Sequence, residues 1–308
     1  MHHRTFALSL SLSLLPAACI PTTEGDTATT AGAPTCEPFA PYIIDIQAEP
    51  NGLVYRADQQ QLYIADDDNN RVLVRSDDGA TQIYAEIPNP SDDPGADGLG
   101  DLTFDADGAL YVPRFGFGMP GLGALFRVPP GGQPEQLSGI NDEWRRLGLD
   151  YDDARGRLYV ATYTRDADDV YTGWVAVVDP SAGAESILVS GLSKPVGLAV
   201  IGDALFVADQ DQRRLYRVDL TAATPALELL TDELQSLDLI EATPAGDLLV
   251  LGFDKASGRG RVYRVSQTGA YTVLAEGEWE PRGIAFDGVS RIFISARHTQ
   301  TLVVVPAC

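Results

Sequence analysis

Residues able to do chemistry are sparse in this chain, and the densest group lies in LYIADDDNNRVLV, residues 62–74, where Asp66, Asp67 and Asp68 precede Asn69 and Asn70. Such a run could hold calcium, but a calcium loop needs several oxygens converging on one point and usually a glycine at its sharp bend. A hairpin turn is the alternative: an aspartate accepts backbone N–H bonds there, and asparagine tolerates the left-handed conformation. LFVADQDQRRLYRV from 205 and IFISARHTQTLVVV from 292 have the same length and phase, yet Asp66, Asp68 and Arg71 recur only in the first, as Asp209, Asp211 and Arg214, and Asp67, Asn69 and Asn70 in neither. That pattern predicts a turn. Of the three histidines, His2 and His3 fall in a signal-like N-terminus, which leaves His298. A histidine pair working as acid and base is thereby excluded, while a Ser-His-Asp relay through His298 is not. No cysteine and histidine spacing suits zinc.

The elements that position these residues come from a repeat. Apolar strand cores recur as LYIAD at 62, LYVPR at 110, LYVAT at 158, LFVAD at 205, LLVLG at 248 and IFISA at 292. Each is preceded by a short strand, usually opened by glycine, as in GLVY at 52, GLAV at 197 and GIAF at 283, and is followed by a third, such as RVLV at 71. A fourth leads into the next unit. Val, Ile, Leu and Tyr in alternation, punctuated by Gly, Asp and Pro, are what four-stranded antiparallel blades require. The expected fold is therefore an all-β, six-bladed β-propeller spanning residues 36–308.

The sixth unit stops after its third strand, LVVV at 302, and YIIDIQAEPNGLVY at 42 matches YTVLAEGEWEPRGIAF at 271 in phase. Residues 42–47 are thus expected to complete the last blade and close the ring. Cys36 and Cys308 flank the two strands that must pair, so a disulfide between them would replace the missing hairpin turn. Two unpaired thiols at frayed ends are the alternative.

The pattern Pro-x-Gly-[Leu/Ile]-x-[Phe/Val], a gap, then Leu-Tyr-Val-Ala-Asp with Arg five further on resembles the NHL-repeat propellers and the six-bladed gluconolactonase (senescence-marker-protein) family, over residues 42–308. The resemblance implies a divalent cation on the central axis, held by Glu, Asn and Asp side chains just before the glycine opening several first strands. Those positions here are Asn51, Gly100, Leu147, Val196, Ser236 and Arg282. Asn51 alone is a matching ligand type, and Arg282 brings a positive charge to the same mouth. A residual metal route would use Asn51, Asp97 and Asp101. No cofactor is expected otherwise, with calcium as the candidate cation.

In this layout the loops entering first strands and those joining second to third strands open on one face. Long hairpins follow in blades two and three, PRFGFGMPGLGA from 113 and TYTRDADDVYTG from 162, and long loops on a rigid ring are the usual seat of binding. Phe115, Phe117, Met119, Tyr163 and Tyr171 could be recognition anchors or could fold down to cap the blade ends. The candidate ligand residues are Asn51, Asp101, Arg114, Tyr163, Trp174 and Arg282, suited to a small polar molecule, a glycan or a protein. Two functions follow from different classes: a tethered binding protein, and a metal-dependent lactonase or ester hydrolase.

The formal charge is −22, from 22 basic and 44 acidic residues, which makes nucleic acid and anionic membrane surfaces poor partners. At the N-terminus, Arg4, an apolar run from Phe6 to Leu15, then Pro16, Ala17, Ala18 and Cys19 read as a secretion signal over residues 1–18. It resembles a bacterial lipoprotein precursor, which implies acylation of Cys19. Residues 19–35, rich in Thr, Ala, Gly and Pro, read as a tether. The expected protein is an extracytoplasmic monomer that touches the membrane only through its lipid.

Overall fold

The computed structural model describes residues 38–89, 98–116 and 122–308. Their strands form six four-stranded antiparallel sheets, and no helix occurs among the described residues. The chain is a six-bladed β-propeller. The inner strands are Pro50–Arg56, Thr103–Phe104, Arg145–Asp152, Pro195–Ile201, Ser236–Ala242 and Pro281–Phe286. The second strands, Gln61–Asp66, Leu110–Arg114, Arg157–Arg165, Ala204–Asp209, Leu248–Asp254 and Arg291–Ala296, carry the repeated apolar cores. Their alternating Leu, Ile, Val and aromatic side chains pack on both faces against neighbouring blades, so residues such as Ile64, Val112, Val160, Val207, Val250 and Ile294 are wholly buried.

Closure follows the sequence expectation. Strand Tyr42–Asp45 pairs antiparallel with Thr301–Pro306, Ile43 opposite Val303 and Ile44 opposite Leu302, which makes it the outer strand of blade six. The pairing stops two residues short of the expected end; Ile46 N–H still donates to Gln300 O at 3.0 Å, and Gln47 turns to positive φ. Cys308 is not a free thiol. Cys36, Cys19, the signal segment and the tether lie outside the described residues.

The aspartate run is a turn. The wholly buried Asp66 carboxylate accepts from Glu49 N–H at 3.1 Å, Asn69 Nδ2 at 3.0 Å and Arg71 Nε at 2.7 Å. Asp209 likewise accepts from the N–H groups of Ser193, Lys194 and Gln212. Asn70, Arg213 and Gln300 end these hairpin loops with φ of 47°, 56° and 53°, the left-handed conformation that the shared phase demands.

Each inner strand is irregular near the axis. Pairing slips between Pro50 and Leu53, Arg146 and Leu149, Pro195 and Gly197, Leu237 and Ile240, and Pro281 and Ile284. In blade two an isolated bridge joins Leu99 to Arg114, and regular pairing resumes at Thr103. Bulges re-aim the extra residue. Here the residue after the slip begins turns toward the axis. The following glycine then meets the next blade: a Cβ on Gly283 would overlap the carbonyl oxygen of Asn51, and one on Gly148 that of Val196.

Candidate functional site

Pairing phase fixes which residues surround the axial mouth. Residues one past the start of each slip form a first ring: Asn51, Gly100, Leu147, Val196, Asp238 and Arg282. Blade five therefore contributes Asp238 to this ring; Ser236, two residues earlier and before the slip, lines both the mouth and an outer cavity. A second ring comes from the residues just after the fifth position of each strand core: Asp67, Phe115, Tyr163, Gln210, Phe253 and Arg297. All of these but Gly100 and the wholly buried Val196 line two adjoining cavities. One, of about 370 Å³, has Asn51, Asp67, Phe115, Arg282, Arg297 and His298 in its wall. The other, of about 310 Å³, adds Leu147, Tyr163, Lys194, Gln210, Asp238 and Phe253 and shares Phe115, Arg282 and Arg297. A third cavity of about 610 Å³ continues outward past Lys194, Lys255 and Asp232.

The charges in the mouth are mixed. Burial pushes the Asp67 carboxyl up to about 6, against the Leu99 N–H donated at 2.8 Å and the positive charge of Arg282. Asp238 is also raised to about 6 by burial, with Arg282 and Lys194 drawing it back down. Lys194 is pushed below the usual lysine range, chiefly by burial and also by the charges of Arg282 and Lys255. Its Nζ donates to Gln210 Oε1 at 2.7 Å and sits 6.0 and 5.4 Å from the ring centres of Tyr163 and Tyr171. Gln210 in turn donates to Asp238 Oδ2 at 3.2 Å. Arg297 is held by Glu280 at 2.8 Å. Among the described residues, the Arg282 side chain makes neither a hydrogen bond nor an ion pair.

Of the residues singled out from sequence, Asn51, Phe115, Tyr163, Tyr171, Arg282 and His298 line the mouth. Arg114 does not. It occupies the buried position that holds Asp66 and Asp209 in blades one and four, 3% exposed, donating to Leu122 O at 3.0 Å and Pro88 O at 2.7 Å. Alternation along the strand turns its neighbour Phe115 to the axis in its place. Trp174 lies on the third strand opposite Thr162 and packs edge-on against Trp144 with ring centres 4.8 Å apart. Beside this pair, Arg146 and Glu185 form a buried ion pair at 2.9 Å. Asp101 sits below the mouth, in a channel cavity of about 240 Å³ shared with Thr103, Asp150 and Glu241. Asp97, Phe117 and Met119 lie outside the described residues. Asp238, Gln210 and Lys194 were not singled out, and Asp67 was read as part of the turn; the phase of the strand cores, which makes Asp67 and Gln210 equivalent to Tyr163, would have found those two.

Three carboxyls crowd the channel. Burial raises Asp101 well above its ordinary value, with Glu241, Asp150 and Asp238 adding repulsion. Burial lifts Asp150 to about 6, although Val200 N–H, Tyr151 N–H and the Thr103 hydroxyl donate to it. Glu241 goes to about 8 through burial and then the charge of Asp150.

The mouth does not fit a divalent cation. Among the described residues no group of three or more His, Cys, Asp or Glu side chains is placed to hold one. Asn51, whose amide N–H donates to Leu99 O at 2.8 Å, could offer only one neutral carbonyl oxygen. Asp238 already takes Gln210 and the Leu239 N–H, Leu147 and Val196 are apolar, and Arg282 would repel the ion. What the arrangement offers is the cationic side chains of Arg282, Lys194 and Lys255 beside the paired Arg297 and Arg165, the carboxyls of Asp67 and Asp238 that burial raises to about 6, and aromatic walls.

No protein family's sequence profile matches the chain, and no curated protein matches it. Solved structures do. A putative gluconolactonase shares 18% identity at a TM-score of 0.68, over 88% of this chain and 93% of that one. A gluconolactonase of Xanthomonas campestris shares 16% at a TM-score of 0.68, over 89% and 96%. The calcium-binding protein regucalcin of Agrobacterium tumefaciens shares 16% at 0.64, over 88% and 95%. The fold of this chain is theirs.

Proposed function

We propose that the axial mouth is a small-molecule site and that its chemistry is hydrolysis of a lactone or simple ester. The carrying observation is the unspent guanidinium of Arg282, facing Asp67 and Asp238 across cavities of small-molecule size. The scaffold is that of proteins described as gluconolactonases, which supports this choice over other reactions. In the proposed step Asp238 takes a proton from water as the water oxygen bonds to the carbonyl carbon. Arg282, with Lys194 beside it, stabilises the developing oxyanion. The acyl C–O bond then breaks, the ring or alcohol oxygen regains a proton, and a hydroxy acid or an acid and alcohol leave. No step passes through a metal ion. Phe115, Tyr163 and Phe253 would hold the less polar face of the substrate.

The base must be ionised, so kcat/KM should rise with pH through about 6, the value to which burial lifts Asp238. Asp238→Asn should remove that limb and lower kcat by roughly 100-fold. The assay is a panel of aldonolactones and aryl esters run with excess chelator. Should none turn over while a ligand saturates the mouth in thermal-shift titration, the site binds without catalysis. That second reading draws on the mismatch with the cation positions of the gluconolactonase-like family.

Export and tethering belong to the same proposal. Their support is the signal-like segment and Cys19. Changing Cys19 to Ser should move the protein from the membrane to the soluble fraction of the producing cell, and unchanged fractionation would rule out a lipid at that residue.

A further inference from the structure

The mouth discriminates by charge. Resting on the small-molecule reading above, we infer that its ligand carries a carboxylate, bound between Arg282 and Lys194, and that the chain's own cations do the work a divalent ion would otherwise do at this position.

Every other arginine in the walls of the two mouth cavities is already engaged. Arg297 is paired with Glu280, and Arg165 at the rim with Asp169. Arg282 stands in the first ring, lines both mouth cavities, and has its planar fork of donors unspent among the described residues. Lys194 lines the same 310 Å³ cavity and the outer one, and its single hydrogen bond to Gln210 uses one of three donors. Held between Tyr163 and Tyr171, its ammonium is poorly hydrated and is better satisfied by an anion than by water. Asp67 and Asp238 flank the two cations without closing on Arg282 at ion-pair distance, and carboxylates near a guanidinium keep it in place for a forked contact. The acidic side of the mouth then suits hydroxyl donors. A sugar acid, or the monolactone of a sugar diacid that keeps its second carboxyl free, has both halves: a carboxylate for the cations, hydroxyls for Asp238 and Asn51. A neutral sugar lacks the first half, and a bare cation meets Arg282.

The test is isothermal titration of the full chain with D-galacturonate and D-galactose, which differ in the carboxylate, in buffer containing chelator. Galacturonate should bind at least about tenfold more tightly. Arg282→Gln and Lys194→Gln should each abolish that preference while far-UV spectra and melting temperature stay as in the parent. Equal affinity for the two sugars in the parent protein, binding of neither, or a preference that survives both substitutions would overturn the inference. So would a preference that needs added calcium. The two readings fail separately: neutral lactones hydrolysed in an Asp238-dependent manner without carboxylate preference keep the hydrolase and remove this inference. Galacturonate held by Arg282 with no ester or lactone turned over does the reverse.

Discussion

Glu241 is a side chain that folding moves far from its solution state. It faces the axial channel with Asp101 and Asp150, and burial with the Asp150 charge lifts its carboxyl to about 8 from an ordinary 4.5. Between those values the folded protein holds a proton that the unfolded chain has released. Stability is therefore lost progressively as pH rises from about 4.5 and levels off above 8. Glu241→Gln keeps the shape without the charge, so it should melt roughly 5 °C above the parent at pH 8 and level with it near pH 4. Calorimetry at the two pH values checks this, and an equal gap at both would mean that packing, not charge, sets the difference. Asp150 and Glu241 were unreadable in sequence because each sits alone in its own blade, in strands that look like any other, and Asp101 was picked out for the mouth rather than for the channel. Burial and convergence, which only the closed ring creates, give them their character. The mouth residues were more legible. Asn51 and Arg282 fell out of the repeat phase, whereas Arg114 and Trp174 were chosen as prominent residues of long hairpins, and pairing register put both into packing. Asp67 was dismissed along with its turn, yet the turn uses Asp66 and leaves Asp67 to the axis.

At the scale of elements, the bulge on each inner strand sets the position of the site. It interrupts the ladder, points one side chain inward, and sets a small residue against the next blade. Gly283 and Gly148 show the closeness of that approach, because a methyl group at either place would press on a neighbouring carbonyl oxygen. Gly283→Ala should cost about 1–3 kcal/mol and lower the melting temperature by several degrees. It should also weaken ligand binding, since the adjacent Asn51 and Arg282 would shift; unchanged stability would show that the blade junction yields easily. The strands and blade count were plain from the recurring apolar cores, which depend on local alternation. The bulges were not, because a slip in register depends on the partner strand. That is why blade five was read two residues out of phase: it lacks the opening glycine, and Ser236 was taken where pairing places Asp238.

For the whole molecule, the decisive feature is a last blade assembled from both ends of the chain. Cys36 and Cys308 are proposed to lock it, and their peptides should co-migrate under non-reducing digestion of exported protein; two free thiols there would refute the lock. A disulfide closing so long a loop would stabilise the ring by on the order of 5 kcal/mol in the chain-entropy picture. Against a formal charge of −22 for the whole chain, the mouth is a local exception in which five cationic side chains face five carboxyls. The shared blade also imposes an order in time. Strand Tyr42–Asp45 is synthesised before any other strand described, and its partner Thr301–Pro306 after all of them. At roughly 5–20 residues per second the closing strand waits many seconds with no edge to join. Five blades can form behind it while the ring stays open, and the mouth, whose Asn51 and Arg282 come from the first and last blades, exists only once the final strand has arrived.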